Sequence, residues 1–207
     1  LALLAPSGVQ ESDEIYLLSG AGDNVKVRDA LMDIKVLREV NADGLEQWTP
    51  VMKAGFPLQA AEAASVFESL RLPAPAMSRA SYTLDEFIGQ FAAPGGAIRA
   101  VKVHKRRMRY TVGGCMAELS EVTADGKATR TIAVESPDAA AVIRAVRELG
   151  LGHLHVEPLH RVGRRAGRGV GIKLLGLGHL LLAFEHHQAV GVLDHRDRRG
   201  RVQRQRL

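Results

Sequence analysis

The chain is poor in several features that usually narrow function. A single cysteine, Cys115, among 207 residues excludes an intramolecular disulfide framework and any cysteine-rich zinc site. No His/Asp arrangement accompanies it, so it reads as a small buried hydrophobe rather than a nucleophile. Aromatic residues make up only 4%, and the one tryptophan, Trp48, reads as a packing residue. No apolar run reaches the roughly 18–20 residues that a membrane span needs, which removes the membrane as a partner. There is no initiating Met, and the stretch Leu1–Ala5 is too short and too uncharged for a secretory signal. The chain therefore reads as starting inside a longer frame, with the cytoplasm as its compartment. Against these absences stands an apolar content of 46%, ample for a core and too high for a disordered chain.

Charge is unevenly spread. Residues 1–150 hold 17 Lys+Arg against 19 Asp+Glu, whereas residues 151–207 hold 11 against 4 and seven of the eight histidines. The break marks a boundary between Gly150 and Gly152. Residues 1–151 are expected to form one domain. Residues 152–207 are expected to be a poorly ordered basic tail, rich in His, Arg and Gly, with only a weak helical pattern near Leu180–His187. The run His195-Arg196-Asp197-Arg198-Arg199-Gly200-Arg201 has the composition of a GC-rich gene read in a shifted frame. His153, His155 and His160, like His186-His187 with His195, lack a companion carboxylate at metal-ligand spacing. The Arg-rich tail remains a possible electrostatic contact for nucleic acid.

Within residues 1–151, extended segments dominate. Glu14 to Leu18 predicts a short strand, Val25 to Arg28 a second by its strict alternation, and Met32 to Leu37 a third. Leu45 to Met52 reads as another, with Pro50 marking an edge or an end. Gln59 to Leu70 predicts a helix with Ala60, Ala64, Phe67 and Leu70 as its apolar stripe. Thr83 with Glu86 predicts a capping box for a short helix ending at Phe91. Three more strands follow, at 101–112, 115–122 and 129–136, joined at Gly113-Gly114 and at Ala124-Asp125-Gly126-Lys127 by hairpin turns. A last helix is expected with Ser136 as N-cap, Pro137 in its first position, a stripe of Val142, Ile143, Val146 and Leu149, and Gly150 as its stop.

Strand side chains alternate, so charges can be assigned to faces. Lys105, Arg107 and Arg109 share one face of their strand; Met108, Tyr110 and Val112 share the other. Lys26 and Arg28 oppose Val25 and Val27. Glu118 lies with Met116 and Ser120, and Glu135 with Ala133 and Thr131. Two arrangements explain this: an ordinary sheet with one solvated face, or apolar faces packed outward on helices with the charged faces lining an enclosed polar space. In the second, the cations would hold phosphates and the carboxylates a hard divalent cation.

Four stretches resemble the CYTH domain, the triphosphate tunnel metalloenzyme family. They are Tyr16-Leu17 with Val25-Lys26-Val27-Arg28 and Asp33-Ile34-Lys35; Gly44-Leu45-Glu46-Gln47-Trp48 with Pro50-Val51-Met52-Lys53 and Phe56-Pro57-Leu58; Val103-His104-Lys105-Arg106-Arg107 through Tyr110; and Ala117-Glu118-Leu119 with Thr131-Ile132-Ala133-Val134-Glu135. The resemblance covers about residues 11–151. It implies an α+β fold, an antiparallel, tunnel-like β-barrel with flanking helices. It implies that Lys26, Arg28, Lys35, Lys105, Arg107 and Arg109 bind the substrate and that Glu118 and Glu135 hold Mg²⁺ or Mn²⁺. The implied partner is a triphosphate or polyphosphate small molecule, bound and hydrolysed. The sequence departs from the family in two places. The Glu-x-Glu-x-Lys strand is missing before Tyr16 and is expected upstream, and Ala133 stands where an acid is usual. These departures leave open a non-catalytic polyphosphate- or nucleotide-binding module.

Overall fold

The strand from Asn24 to Arg28 shows how the sheet is organised. Val25 and Val27 are buried on one side, and Lys26 is buried on the other. Neither face of the sheet is a simple solvated one. The computed structural model describes residues 6–20 and 23–151, and the backbone of 180–186. In chain order the strands and helices are β1 (Gly8–Leu18), β2 (Asn24–Arg28), β3 (Leu31–Val40), β4 (Glu46–Gly55), β5 (Leu58–Gln59), α1 (Ala60–Ser69), β6 (Ser81–Tyr82) and α2 (Leu84–Phe91). They continue with β7 (Arg99–Val112), β8 (Cys115–Ala124), β9 (Lys127–Ser136), α3 (Ala139–Glu148) and β10 (Leu180–His186).

The class is α+β. Seven strands form one curled antiparallel sheet, a half-barrel in the order β4-β3-β2-β1-β7-β8-β9. Strand β10 lies between the two outer edges, with seven residue pairs along β9 but only two, Leu180–Gln47 and Leu181–Glu46, to β4. The two edges are joined there by a short seam instead of a full ladder. Leu180–His186 is thus a strand where a helical pattern was expected. A seven-residue run with few polar interruptions carries too little periodicity to separate the two. The other expectations for the tail, including its disorder and its histidine groups, lie outside the described residues.

The convex side of the curl carries the apolar cores. Val25, Val27, Met32 and Ile34 pack under Ala63, Val66 and Phe67 of α1 and Phe87 of α2. Tyr110, Val112, Ala117 and Val134 pack under Val142, Ala145 and Val146 of α3. The buried stripe of α1 is Ala63, Val66, Phe67 and Leu70. The expected Ala60 and Ala64 lie a residue out of phase with it, because alanine marks neither face strongly. Helix α2 opens as expected, with the Glu86 amide donating to Thr83 Oγ1 (3.3 Å) and the Thr83 amide to Glu86 (2.9 Å). Helix α3 starts later than expected. Asp138 is its N-cap, accepting from the Ala140 amide at 2.9 Å, and Ser136 is the last residue of β9.

Three two-residue hairpin turns have both central residues at positive φ: Asp29-Ala30, Gly113-Gly114 and Asp125-Gly126. This is the twist that tight antiparallel hairpins require. Strand β4 runs straight through Pro50 instead of ending there. Ile34 faces Met52 and Lys35 faces Pro50, which leaves Val51 as the extra residue of a bulge. A proline has no ladder hydrogen to donate, and a bulge tolerates that.

Phe87 is fully buried, its ring 5.1 Å from that of Phe91 and 6.4 Å from that of Phe67. Phe87→Ala should lower unfolding stability by about 3–5 kcal/mol, through lost burial and the cavity left beneath α2. Urea titration followed by circular dichroism checks this.

Candidate functional site

The concave side of the curl is where the charges meet. Along β7 the inward series is Val101, Val103, Lys105, Arg107 and Arg109, so the strand changes from apolar to cationic along its length. Tyr16, Val101, Val103, Val122 and Ala124 form an apolar cluster inside one end of the curl. Beyond it, Lys105 is 0% exposed, Arg107 2%, Lys26 4% and Lys35 5%. A solvated charged face does not describe these residues; the enclosed polar space does.

At the centre is Glu14, itself 2% exposed. Its carboxylate lies 3.5 Å from Lys26 Nζ, 3.5 Å from Lys105 Nζ and 3.8 Å from Arg28, and it forms a close ion pair with Arg107. Lys105 Nζ donates to the Tyr16 hydroxyl at 2.7 Å, and Tyr16 is hydrogen-bonded to Glu14. The Lys105 ammonium also lies 4.9 Å from the centre of the Tyr16 ring. Arg107 donates to Ser12 Oγ at 2.6 Å, and Ser12 donates to Glu14 at 3.3 Å.

A second carboxylate, Glu118, accepts from Ser120 Oγ at 2.8 Å and lies 3.5 Å from Arg107 and 3.4 Å from Arg109. Arg107 bridges the two groups. Glu135 is buried nearby, within electrostatic reach of Lys35 and Glu118, and its Oε2 has no hydrogen-bond partner. Thr131 Oγ1 and both side-chain polar atoms of Asn24 are also buried and unpaired. On β4, Trp48 Nε1 donates to Glu46 at 2.9 Å.

All six expected cations therefore face the concave side, but not equally. Lys26, Lys35, Lys105 and Arg107 are buried, whereas Arg28 is partly and Arg109 substantially exposed at its margins. Glu118 and Glu135 lie within it. Sequence reasoning missed Glu14, together with Ser12 and Tyr16 at the same period-two spacing on β1. The signal was the alternation Ser12-Glu14-Tyr16, hidden because β1 begins at Gly8, six residues before the expected start.

Burial works against each of these ions, and their partners decide the outcome. Glu14 would be raised by desolvation, but Lys105, Lys26 and Arg107 outweigh that and hold it at about 2. Lys105 is driven down to about 7 by burial, against the attraction of Glu14. Lys35 falls to about 8 for the same reason. Glu135 is raised by burial, which the nearby Lys35 offsets only in part.

Among the described residues no three His, Cys, Asp or Glu side chains form a group able to hold a metal ion. Glu118 is already engaged by two arginines, and Glu135 has one buried oxygen free. Such a pair fits Mg²⁺ or Mn²⁺ only where phosphate oxygens and water complete the shell, which is the usual habit of Mg²⁺. No family model matches the chain, and no curated protein or solved structure matches it. No helix among the described residues is long and apolar enough to cross a membrane.

The Lys105 value has a signed consequence. Its folded pKa of about 7 lies below the unfolded 10.5, so between these values the unfolded chain binds more protons. Stability contributed at this position should rise with pH from about 7 towards 10.5. Denaturant titrations of wild type and Lys105→Met across pH 6–10 should show that rise in the wild type and a flatter profile in the variant.

Proposed function

We propose that the concave space binds a triphosphate-containing substrate, inorganic triphosphate or a nucleoside triphosphate, and hydrolyses it with a divalent metal, on a tunnel-like fold of the CYTH, or triphosphate tunnel, type. The observation that carries this reading is the burial of Lys26, Lys35, Lys105 and Arg107, from three strands, in one space. Burying an ion costs several kcal/mol even after relaxation; Glu14 and Glu118 offset part of this, but the six cations of the space outnumber its three carboxylates and favour a further anion. The resemblance to the family in order and spacing of its cationic and acidic strands supports the same reading. The single cysteine supports a cytoplasmic setting.

In this reading the arginines and lysines divide the work. Arg107 and Arg109 present planar forks suited to paired phosphate oxygens, and the lysines act as point charges. Their positions are set before the ligand arrives, so charge developing on the phosphates in the transition state meets fixed cations in a poorly solvated space. A divalent cation held by Glu118 and Glu135 together with the phosphates would supply charge neutralisation and Lewis acidity. Glu135, with its free buried oxygen, is the residue that most needs such a partner. No covalent nucleophile is invoked.

The second reading, binding of polyphosphate or nucleotide without turnover, is favoured by two observations. No three-ligand metal group occurs among the described residues, and Ala133 occupies the inward position between Thr131 and Glu135 on β9. Nucleic-acid binding through the basic tail rests on residues outside those described.

Charge-assisted contacts to phosphate are worth roughly 1.5–3 kcal/mol each. Arg107→Ala should therefore weaken tripolyphosphate binding about tenfold or more by calorimetry. Arg106→Ala is the control. Arg106 lies on the opposite face, paired with Glu11 at 3.6 Å and Glu121 at 3.3 Å, and its loss should leave affinity unchanged.

Glu135→Gln separates the two readings. The substitution should abolish Mg²⁺- or Mn²⁺-dependent phosphate release while tripolyphosphate binding persists. Full activity in that variant would remove Glu135 from the metal site. Absence of release from the unmutated chain, with binding retained, would establish the non-catalytic module.

A further inference from the structure

Among the described carboxylates Glu14 touches the most cations, and all four of its partners are assigned to phosphate by the reading above. Lys26 and Lys105 each lie 3.5 Å from Oε2, and Arg107 and, at 3.8 Å, Arg28 lie against Oε1. Guanidinium and ammonium groups recognise carboxylate and phosphate oxygens with the same donors. Two carboxylate oxygens ringed by four cations therefore fill the place that one phosphoryl group would need.

Three details bear on whether this place can be vacated. Oε2 receives no hydrogen bond, and its two lysine contacts are longer than the roughly 2.7–2.9 Å of tight charge-assisted bonds. A cavity of about 840 Å³ opens beside the Asp29-Ala30 turn, lined in part by Glu14 and Arg28, while the Glu14 side chain itself is fully buried, so a ligand reaches it only by displacing its neighbours. Lys35 and Arg109, the remaining two of the six cations, make no ion pair with Glu14. Arg109 is paired with Glu118 at 3.4 Å, and both lie where only a longer anion would reach them.

We propose that Glu14 is a resident anion in the phosphate subsite, one that a ligand must displace, and that it sets an affinity threshold that polyphosphates exceed and single phosphates and other small anions do not. The proposal rests on the triphosphate reading and adds a residue that works against binding. A small anion that takes the place of Glu14 exchanges one set of ion pairs for an equivalent set and gains little. A chain of phosphates makes the same exchange and also reaches Lys35 and Arg109. Glu14 thus subtracts a similar amount from every anion, and only the longer ones exceed it.

The test is calorimetric titration of wild type and Glu14→Gln with tripolyphosphate and, separately, with orthophosphate. EDTA is present so that no divalent metal contributes. The variant should bind tripolyphosphate at least tenfold more tightly than wild type and should acquire measurable affinity for orthophosphate. Equal or weaker tripolyphosphate binding by the variant, with wild-type binding intact, overturns the role of Glu14 and leaves the triphosphate reading standing. Failure of both proteins to bind tripolyphosphate, in EDTA and again with Mg²⁺ in its place, overturns both. If Glu14→Gln does not fold, Glu14→Asp serves instead, since its carboxylate is drawn back by one methylene. A gain in tripolyphosphate affinity supports the proposal, and no gain or a loss overturns it.

Discussion

The ion cluster around Glu14 is the constraint that the rest of the domain accommodates. Ions removed from water lose several kcal/mol each, and their mutual attraction recovers this only when geometry and hydrogen bonds are good. The curl meets that requirement by bringing β1, β2 and β7 side by side, so that Glu14 faces Lys26 and Arg28 on one neighbour and Lys105 and Arg107 on the other. A sheet that turns its charges inward must cover its apolar face outside. This is why α1, α2 and α3 all lie on the convex side, and why the hydrophobic core of the domain is divided between the two ends of the sheet's outer surface.

The concave walls differ in a way that leaves room between them. Strands β2, β3 and β7 contribute long cationic side chains. Strands β8 and β9 contribute Ser120, Thr131 and Ala133, short side chains punctuated by Glu118 and Glu135. The apolar cluster of Tyr16, Val101, Val103, Val122 and Ala124 fills one end and excludes water from the lysines nearest it. Lys105, adjoining that cluster and wholly buried, is lowered by that burial to about 7. Arg107 lies one inward position further along β7, where its guanidinium bridges Glu14 and Glu118.

Much of this was legible in the sequence, for identifiable reasons. The alternation Val25-Lys26-Val27-Arg28 and the series Lys105-Arg107-Arg109 declare their faces because the opposite positions are apolar. Gly113-Gly114 and Asp125-Gly126 declare their hairpins because few other pairs accept positive φ twice. The start of β1 was not legible. From Gln10 to Glu14 both faces are polar, one lining the ion cluster and the other solvent, so no hydrophobic period marks the strand. Hence Glu14, the most connected carboxylate, was overlooked although its neighbours across the sheet were found. The late start of α3 has a similar origin. Ser136, Pro137 and Asp138 each carry a helix-start signal, and only the backbone decides that Asp138 makes the bond.

A buried ionic network can exist simply because a fold tolerates it, and replacing such networks with apolar side chains often stabilises a protein. A network that served structure alone should at least be satisfied, since an unpaired buried polar group costs about 1–3 kcal/mol. This one is not. Glu14 and Glu118 are surrounded by cations, yet Glu14 Oε2, like Glu135 Oε2, Thr131 Oγ1 and both polar atoms of Asn24, is buried without a hydrogen bond. Lys35, paired across the ladder with Asn24 and in electrostatic reach of Glu135, lies beside these groups and is lowered to about 8 by burial. On the triphosphate reading, an incoming anion, or a cation carried with it, would relieve the cost of these groups.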